Sequence, residues 1–422
     1  MPTLADYGFA SGEPHPLNLF ARPRHRSNVS PPALHRRTVL GALAAGTAAV
    51  AGCTTDDSDP DIAPDQRWPQ HGYDAANTSY APDADGPTND PSIVWEYDSR
   101  AIQPIIGDAI FLNAAGDGCH AIDPAAGDRL WRDDGNYTLS TPAVADGAVY
   151  LAEHGGLRAV ADDGGIEVVG RRVRYERWVG GQPNPDSPLT VADGTIFAGF
   201  GGPIERELAA VDAEDGSVRW RVPTETQIQG APAVAGDLVV AADRGAPPPG
   251  KTGDVLAYGV SIDDGEVEWT HEFGSTDEVG VHWQANPVAG DGLVYVPTTR
   301  ELVALDSTDG TVRWRRDGEV IVSPALVGDT LLVGLLTGEL LALDATTGEK
   351  QWREGAHDEW LHAPAVAGET VYTVDGDGAV AGWTLDGDRR FQLSVPKTPL
   401  GPPAVGDGRL YVPTDGTLYA IA

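Results

Sequence analysis

The side chains best suited to chemistry are few and scattered along this chain. Its two cysteines, Cys53 and Cys119, form no Cys-x-x-Cys pair that could hold a metal ion or a redox disulfide. Asp375 and Asp377 are spaced like the first ligands of a calcium loop, but the bidentate Glu that an EF-hand requires is missing. We therefore interpret the Asp375–Asp377 stretch as a hairpin turn, and we expect neither a metal ion nor a cofactor.

A second group of polar and aromatic side chains recurs a few residues ahead of predicted strands. Its members are Tyr137, Gln227, Gln229, His282, Trp283, Trp360 and His362, and Lys397 lies at a similar place. Binding surfaces often use such side chains, so these residues form a candidate binding face. The alternative is a set of solvated loops with a few packed aromatic rings. A basic cluster, Arg171, Arg172, Arg174 and Arg177, either pairs with acids of the same chain or recognises an acidic partner.

A sequence repeat of about 40 residues predicts the β-strands that position these side chains. The pattern Ala-x-Asp-x-x-x-Gly-x-x-x-Trp occurs at 121–131, 210–220, 304–314 and 342–352, and a shortened copy ends at Trp269. Degenerate copies end near Val169 and at Phe391, and Trp95 has no copy before it. The closing positions lie 36 to 51 residues apart, a period typical of propeller blades. Short alternating strands separated by Asp-Gly and Gly-Asp turns fill each unit.

A strand count predicts that the ring is closed. First strands are expected at eight places, near Ile102, Thr141, Pro188, Ala231, Ala285, Ser323, Ala363 and Pro402. Every unit except the last has a fourth strand, and residues Ser92 to Tyr97 form a fourth strand without a blade. We therefore predict an all-β, eight-bladed propeller of four-stranded antiparallel blades, in which this N-terminal strand completes the last blade and removes an open edge. An open solenoid with polar caps is the alternative.

Over about residues 92–422, the repeat resembles the tryptophan-docking unit of pyrroloquinoline-quinone (PQQ) enzymes. The resemblance implies that each Trp packs beside the Gly-containing turn of the next blade. It assigns structural docking to Trp95, Trp131, Trp220, Trp269, Trp314 and Trp352. The PQQ dehydrogenases carry adjacent cysteines and a Glu-Asn-Asp set for Ca²⁺, whereas Cys119 stands alone and is expected to be a buried or channel-lining thiol.

The expected function is a non-catalytic interaction scaffold and not an enzyme. In architecture the chain is similar to the propeller lipoprotein of the outer-membrane barrel-assembly machinery. The alternative function is that of a PQQ-dependent dehydrogenase or of another quinone-binding redox protein.

The first 66 residues are predicted to be an export signal followed by a flexible tether. Arg36 and Arg37 precede an apolar stretch that ends in Ala51-Gly52-Cys53, which resembles a twin-arginine (Tat) export signal joined to a lipobox. The pattern predicts that residues 1–52 are a leader and that Cys53 is lipidated, anchored to the outer face of the cytoplasmic membrane. An uncleaved signal anchor is the alternative. The acidic stretch 53–66 is predicted to be a disordered tether, and 67–422 the propeller domain.

Charge narrows the choice of partners. The chain has 29 Lys and Arg against 63 Asp and Glu, a net charge of −34, and its only lysines are Lys251, Lys350 and Lys397. Such a chain repels nucleic acids and anionic bilayers, which leaves the lipid anchor as its contact with the membrane. Dispersed acid with few lysines resembles proteins of halophilic archaea; an ordinary acidic protein is the alternative. We expect a monomer that binds another protein or a cell-envelope component.

Overall fold

Each inner strand of the fold begins just after a proline, which holds the chain extended where the strand starts. These prolines are Pro104, Pro142, Pro188, Pro232, Pro287, Pro324, Pro364 and Pro403. The computed structural model describes residues 62–422, apart from 115, 136–139, 154–155, 164–172, 179–186, 202–205, 244–252, 276–278, 280–284, 319–321 and 356–358. The described strands form eight sheets, each with four antiparallel strands, so the predicted eight-bladed propeller is confirmed.

Blades 1 to 4 follow one another along the chain, and the first strands of blades 1 and 2 and of blades 2 and 3 contact each other around the centre. Blade 1 consists of Ile105–Ile106, Ile110–Ala114, Gly118–Ile122 and Arg129–Asp133. Blade 2 consists of Ala143–Ala145, Ala148–Glu153, Gly156–Ala161 and Val173–Trp178. Blade 3 consists of Thr190–Ala192, Thr195–Gly201, Arg206–Asp212 and Val218–Pro223. Blade 4 consists of Ala233–Ala235, Leu238–Ala242, Asp254–Ser261 and Val267–Ser275.

Blades 5 to 7 continue in the same order. Blade 5 consists of Val288–Gly290, Leu293–Pro297, Glu301–Asp306 and Val312–Asp317. Blade 6 consists of Ala325–Val327, Thr330–Gly334, Glu339–Asp344 and Lys350–Gly355. Blade 7 consists of Ala365–Ala367, Thr370–Val374, Ala379–Thr384 and Arg389–Ser394. A short strand, Tyr80–Ala81, adds to blade 7 in parallel with its first strand.

Blade 8 joins the two ends of the described chain. Ala404–Gly406, Arg409–Thr414 and Thr417–Ile421 are its first three strands, and Ile93–Tyr97 is its fourth. Trp95 pairs with Ala420 and Tyr97 with Leu418, so the predicted closure by the N-terminal strand is confirmed.

The sequence prediction needs corrections in two places. The fourth strand of blade 2 was expected to end near Val169, but it runs from Val173 to Trp178 and pairs with Gly156–Ala161, because more residues separate the third and fourth strands here than in the other blades. The tether was expected to continue to residue 66, but Ile62 is buried in the apolar core and Pro64–Gln66 forms a 3₁₀ turn. The described residues belong to one unit, Asp57–Ala422; 1–61, including Arg36, Arg37 and Cys53, lie outside them.

The two faces of the propeller differ in the chain segments that form them. One, the turn face, carries the turns between first and second and between third and fourth strands. The other, the connection face, carries the turns between second and third strands and the connections to the next blade. Each turn between a first and a second strand contributes one carboxylate: Asp108, Asp146, Asp193, Asp237, Asp291, Asp329, Glu369 and Asp407. None of the helical segments in the described parts of the chain is long and apolar enough to cross a bilayer.

Candidate functional site

Tryptophan side chains fasten each blade to the next. In six cases the indole N–H donates to the backbone carbonyl of the residue that follows the Asp position of the next repeat. The pairs are Trp95 to Pro124, Trp131 to Asp162, Trp220 to Ile262, Trp269 to Ser307, Trp314 to Ala345 and Trp352 to Leu385, at 2.7 to 3.1 Å. The turn glycine must be small: at Gly310, φ is +68° and a Cβ would lie 2.5 Å from the Trp269 ring. The indole N–H groups of these six tryptophans are therefore used in contacts between neighbouring blades.

The central channel contains a segment of the same chain, residues 66–86, which we call the channel segment. It contacts the blades one after another in chain order, so that it passes once around the propeller axis. The acceptor groups and the blades that donate to them are Trp68 O to blade 1, Pro69 O to blade 2, Gln70 Oε1 to blade 3, Ala75 O to blade 4, Ala76 O to blade 5, Thr78 O to blade 6, Ser79 O to blade 7 and Asp85 O to blade 8.

The donors to the channel segment are backbone N–H groups on the inner edge of the propeller. In blades 1 to 7 they belong to the middle of the first strand, or to its second residue where it has only two; they are Ile106, Val144, Val191, Val234, Ala289, Leu326 and Val366. An inner strand has a sheet partner on one side only, so these groups would otherwise be unpaired in the ring interior. The channel segment thus acts as a shared partner for the inner edges of the blades.

Asn77 is the main polar anchor of the channel segment. It is 1% exposed, and its Nδ2 lies 3.0 to 3.1 Å from the carbonyl oxygens of Ala231, Pro232 and Pro287, in blades 4 and 5. Its backbone has φ +59°, and Tyr73 has φ +74°, a region that non-glycine residues rarely occupy. Such strain persists only where the surroundings fix the conformation, which the bonds to the blades do here.

His71 occupies the opposite part of the channel beside blades 1 and 2. Its Nδ1 lies 3.4 Å from Thr141 Oγ1. Burial lowers the pKa of His71 from 6.5 to about 4, because desolvation disfavours the imidazolium more than the Gln103 side chain supports it. His71 is therefore a neutral, structural histidine at neutral pH.

The pKa of His71 predicts a pH dependence of stability. Because its pKa is lower in the folded than in the unfolded chain, its contribution is complete above pH 6.5 and is lost as pH falls toward about 4. Relative to His71→Gln, the wild-type free energy of unfolding should fall by about 2 to 3 kcal/mol between pH 7 and pH 4.5. Denaturant titrations of both proteins at the two pH values measure this change. A difference that is independent of pH would contradict the burial of His71.

Polar side chains just before the first-strand prolines line the channel on its connection side. Gln103, Thr141, Ser187, Asn286 and Ser323 hold this position in blades 1, 2, 3, 5 and 6, and each is at most 3% exposed. They bond from blade to blade: Asn286 Oδ1 accepts from Ala231 N at 2.7 Å, and Ser323 Oγ accepts from Asn286 N at 2.8 Å. These groups stabilise the ring and the channel segment, which leaves them little freedom to bind a ligand.

The residues of the predicted binding face differ in whether the structure describes them and in how exposed they are. Tyr137, His282 and Trp283 lie outside the described residues, as do Arg171 and Arg172, and nothing is described for the Arg174 and Arg177 side chains. Gln227 and Trp360 are partly exposed, but Gln229 and His362 are 7% and 1% exposed and do not belong to an exposed rim.

A repeated backbone bridge explains why Gln229 and His362 are buried. Ile228 bridges to Asp243, and Leu361 bridges to Asp375, so each connection pairs with the end of a second strand. The residue after each bridge, Gln229 or His362, then turns inward. The ring of Trp360 lies 4.5 Å from the ring of His362 and covers that histidine.

Sequence reasoning missed Asp243, which holds the connection into blade 4. Asp243 is fully buried; its Oδ1 accepts from Leu256 N at 3.0 Å and its Oδ2 from the Tyr258 hydroxyl at 3.2 Å. Burial raises the pKa of this carboxyl from 3.8 to about 6. The other residues missed are Gln70, His71 and Asn77 of the channel segment. One signal could have indicated the channel segment: the first strand of every blade has an inner edge whose N–H groups need a hydrogen-bond acceptor.

Cys119 is a buried core thiol and does not line the channel. It lies on the third strand of blade 1 and is 0% exposed, and burial raises the pKa of its thiol far above the usual value. A thiol that stays protonated is neither a nucleophile nor a metal ligand. Within the described ranges, no cluster of three or more His, Cys, Asp or Glu side chains could hold a metal ion. Asp375 is a turn residue whose Oδ1 accepts from the N–H groups of Asp377 and Ala379.

These features define an eight-bladed propeller of the tryptophan-docking class whose channel is filled by its own N-terminal segment. The sequence pattern of the family described as outer membrane protein assembly factor BamB matches residues 170–319 and 316–422, which is more than half of the chain. The chain belongs to this family.

A curated relative is an enzyme. The 1-butanol dehydrogenase (cytochrome c) of Thauera butanivorans is 28% identical over 249 residues, which cover 53% of this chain but 30% of that protein. The match therefore spans less than a third of the enzyme's length.

Solved structures share the fold. BamB from Moraxella catarrhalis superposes with a TM-score of 0.60 at 16% identity, over 78% of this chain and 99% of that one. The quinohemoprotein alcohol dehydrogenase from Comamonas testosteroni superposes with a TM-score of 0.66 at 14% identity, over 84% and 80%. At these identities the likeness concerns the fold.

The residues present do not fit a quinone with its Ca²⁺ ion. The chain lacks the adjacent cysteines that the resemblance to PQQ dehydrogenases requires, and Cys119 lies in the interior of a blade. In the channel, Asn77 and His71 occupy the space between opposite blades, and they use the polar groups there for contacts within the chain. We therefore derive no reaction step through a quinone.

Proposed function

We propose that this protein is a non-catalytic binding scaffold that holds another protein, or a cell-envelope component, on its connection face. The observation that carries this proposal is the filled channel: the segment around Asn77 and His71 already uses the polar groups in the place where a propeller would bind a small ligand. The ring is then a rigid platform, and its outer surfaces remain for binding.

The connection face suits a protein partner better than the turn face does. Leu335, Leu336 and Trp360 are partly exposed there, and the exposed cations Arg100 and Lys397 lie in other connections of the same face. Protein interfaces combine such apolar and aromatic groups with charges at the rim. The turn face instead presents a carboxylate from every blade. The description of the matching family as an assembly factor agrees with a binding role.

The proposal includes export and anchoring. The twin-arginine pattern at Arg36 and Arg37 and the lipobox ending in Cys53 support export by the Tat pathway and lipidation at the outer face of the cytoplasmic membrane. The net charge of −34 with three lysines supports a surface suited to concentrated salt, as in halophilic archaea, and a monomer in solution. Mass spectrometry of the Cys53 peptide from native membranes tests the anchor; an unmodified thiol, or retained residues 1–52, would contradict it.

A reconstitution experiment tests the non-catalytic role. Purified protein is incubated with PQQ and Ca²⁺, and its absorbance spectrum and its dye-linked oxidation of alcohols and sugars are recorded. We expect the spectrum of free quinone and no turnover above that of quinone alone. A bound-quinone spectrum with turnover would replace the scaffold by a redox enzyme, the function that the similarity to the butanol dehydrogenase favours.

Site-specific crosslinking tests the binding face. A photoreactive amino acid replaces Trp360 on the connection face or, as a control, Asp329 in an exposed turn of blade 6. In native membranes at high salt, we expect a discrete adduct from position 360 and none from position 329. An adduct from position 329 alone would place the partner on the other face.

A further inference from the structure

A cavity on the turn face, between blades 4 and 5, stands apart from the proposed partner surface. Its volume is about 560 Å³, within the range of small-ligand sites. Leu238 and Leu293 line it, and Ala76 of the channel segment lies at its inner end. Larger residues of the channel segment, such as Trp68 and Tyr80, occur beside other blades, so the small side chain of Ala76 leaves room here.

The charge of the residue before the docking tryptophan differs between blade 4, at this cavity, and the blades on either side of it. In blades 3 and 5 the residue before the docking tryptophan is an arginine, Arg219 or Arg313, which pairs with the Asp of the same repeat. Arg219 also donates to Thr195 Oγ1 at 2.6 Å and so covers the first turn of its blade. Blade 4 has Glu268 at this position, and Ser261 in place of the Asp. Blade 4 thus has a carboxylate where its neighbours, blades 3 and 5, have a guanidinium, while blades 1, 6 and 8 have the uncharged Leu130, Gln351 and Val94.

The carboxylates that line the cavity have no ion-pair partner among the residues that the structure describes, whereas the Thr308 hydroxyl, which also lines it, donates to Asp306. Asp237, Glu268 and Asp291 line it, and none of them forms an ion pair with the described residues. Ser307 also lines it and is 8% exposed; its backbone carbonyl accepts from Trp269, but its hydroxyl has no hydrogen-bond partner among the parts of the chain that the structure describes. The Ser307 hydroxyl, on a residue that is largely buried, lies beside three exposed carboxylates, and this set of acceptors is suited to a ligand that brings N–H donors.

We propose that this cavity binds the guanidinium group of an alkylguanidinium ligand. The carboxylates of Asp237, Glu268 and Asp291 supply the negative charge, and Ser307 accepts one N–H. Leu238 and Leu293 contact the alkyl stem, as apolar walls do for arginine side chains. The ligand replaces the group that the repeat itself supplies in blades 3 and 5. This site lies on the opposite face from the proposed partner surface and does not depend on the proposed function.

Calorimetric titration tests the proposal directly. The probe is N-acetylarginine amide, and its uncharged counterpart, N-acetylcitrulline amide, has nearly the same shape. Titrations use the full mature chain at the lowest salt that preserves its circular dichroism, because salt screens exposed charges. We expect saturable binding of the arginine derivative and binding of the citrulline derivative that is weaker by about tenfold or more.

Single substitutions test whether the arginine derivative binds at this cavity. Glu268→Arg introduces the residue of the neighbouring blades and should weaken binding by more than about tenfold, since it replaces a carboxylate that lines the cavity by a cation. Asp237→Asn should weaken it about two- to fivefold. Asp329→Asn, in the equivalent turn of blade 6 outside the cavity, should change it by less than about twofold. Asp237→Asn keeps the test valid if Glu268→Arg folds poorly.

Three results would overturn the proposal. They are equal affinity for the arginine and citrulline derivatives, equal effects of Asp237→Asn and Asp329→Asn, and binding of Ca²⁺ at this cavity without binding of the arginine derivative. A pentapeptide with a central arginine separates two sources of the same chemistry. Tighter binding of the peptide indicates the side chain of a partner protein, and tighter binding of the free derivative indicates a small molecule.

Discussion

Replacing Asn77 by alanine is expected to lower the free energy of unfolding by about 2 to 4 kcal/mol. The side-chain amide of Asn77 meets three carbonyl oxygens of blades 4 and 5 in a place without water access. Alanine would leave the buried carbonyls of Ala231 and Pro287 without this donor, while Pro232 O would keep its bond from the Thr190 hydroxyl. Its methyl group would also fail to fill the space of the amide. The measurement is chemical denaturation, followed by tryptophan fluorescence at constant high salt.

The matched control for Asn77 is Asn89, an exposed asparagine that follows the channel segment and contacts its neighbour Thr88. Asn89→Ala should change the free energy of unfolding by less than about 0.5 kcal/mol. If the two alanine variants were equally stable, Asn77 would not connect the channel segment to the ring.

Replacing Trp95 by alanine should be the most damaging of the tryptophan substitutions, with a loss of about 3 to 5 kcal/mol. Trp95 donates to Pro124 of blade 1, packs on Gly127 and contacts the ring of Tyr411 at 5.8 Å. Its strand is held in blade 8 by non-covalent pairing alone, so weaker docking lets this strand detach and exposes a sheet edge.

Trp352→Ala is the matched control for Trp95. Trp352 is likewise partly exposed and donates to Leu385 of the next blade, but its strand follows the third strand of blade 6 through a short turn. We expect Trp95→Ala to unfold at a lower denaturant concentration than Trp352→Ala. The reverse order would show that closure of the ring contributes no more to the stability of the protein than an ordinary junction between two blades does.

The repeat made the architecture predictable because its signals are local. Turn residues, the X-Pro step and the docking tryptophan recur within each unit, and the missing fourth strand of the last unit matched the extra strand at Ile93–Tyr97. Blade 2 was misplaced by several residues because its copy of the repeat has no tryptophan at the usual spacing.

The channel segment could not be predicted in the same way. Residues 66–86 have neither alternation nor a repeat, and their conformation includes positive φ angles at Tyr73, Asn77 and Ser79. Their backbone and side-chain acceptors are matched to N–H groups on blades far along the chain, from Ile106 to Gly408. Such long-range matching appears only when the ring exists.

The candidate binding face was predictable in part. Position relative to the first strands placed Gln227 and Trp360 correctly on the connection face, but burial depends on the backbone bridges to Asp243 and Asp375. A residue two positions from an exposed one can therefore be buried, as Gln229 and His362 are.

Hydrogen exchange measured by mass spectrometry tests most directly whether the N-terminal segment fills the channel of the closed ring. Peptides that cover residues 68–81 should exchange slowly, because Trp68, Asn77 and Ser79 are buried and their N–H groups are hydrogen-bonded, whereas the exposed Asp83 and Asp85 should exchange faster. Rapid exchange of residues 68–81 beside slow first strands would show that the channel is open, and the main support for a non-catalytic scaffold would be lost.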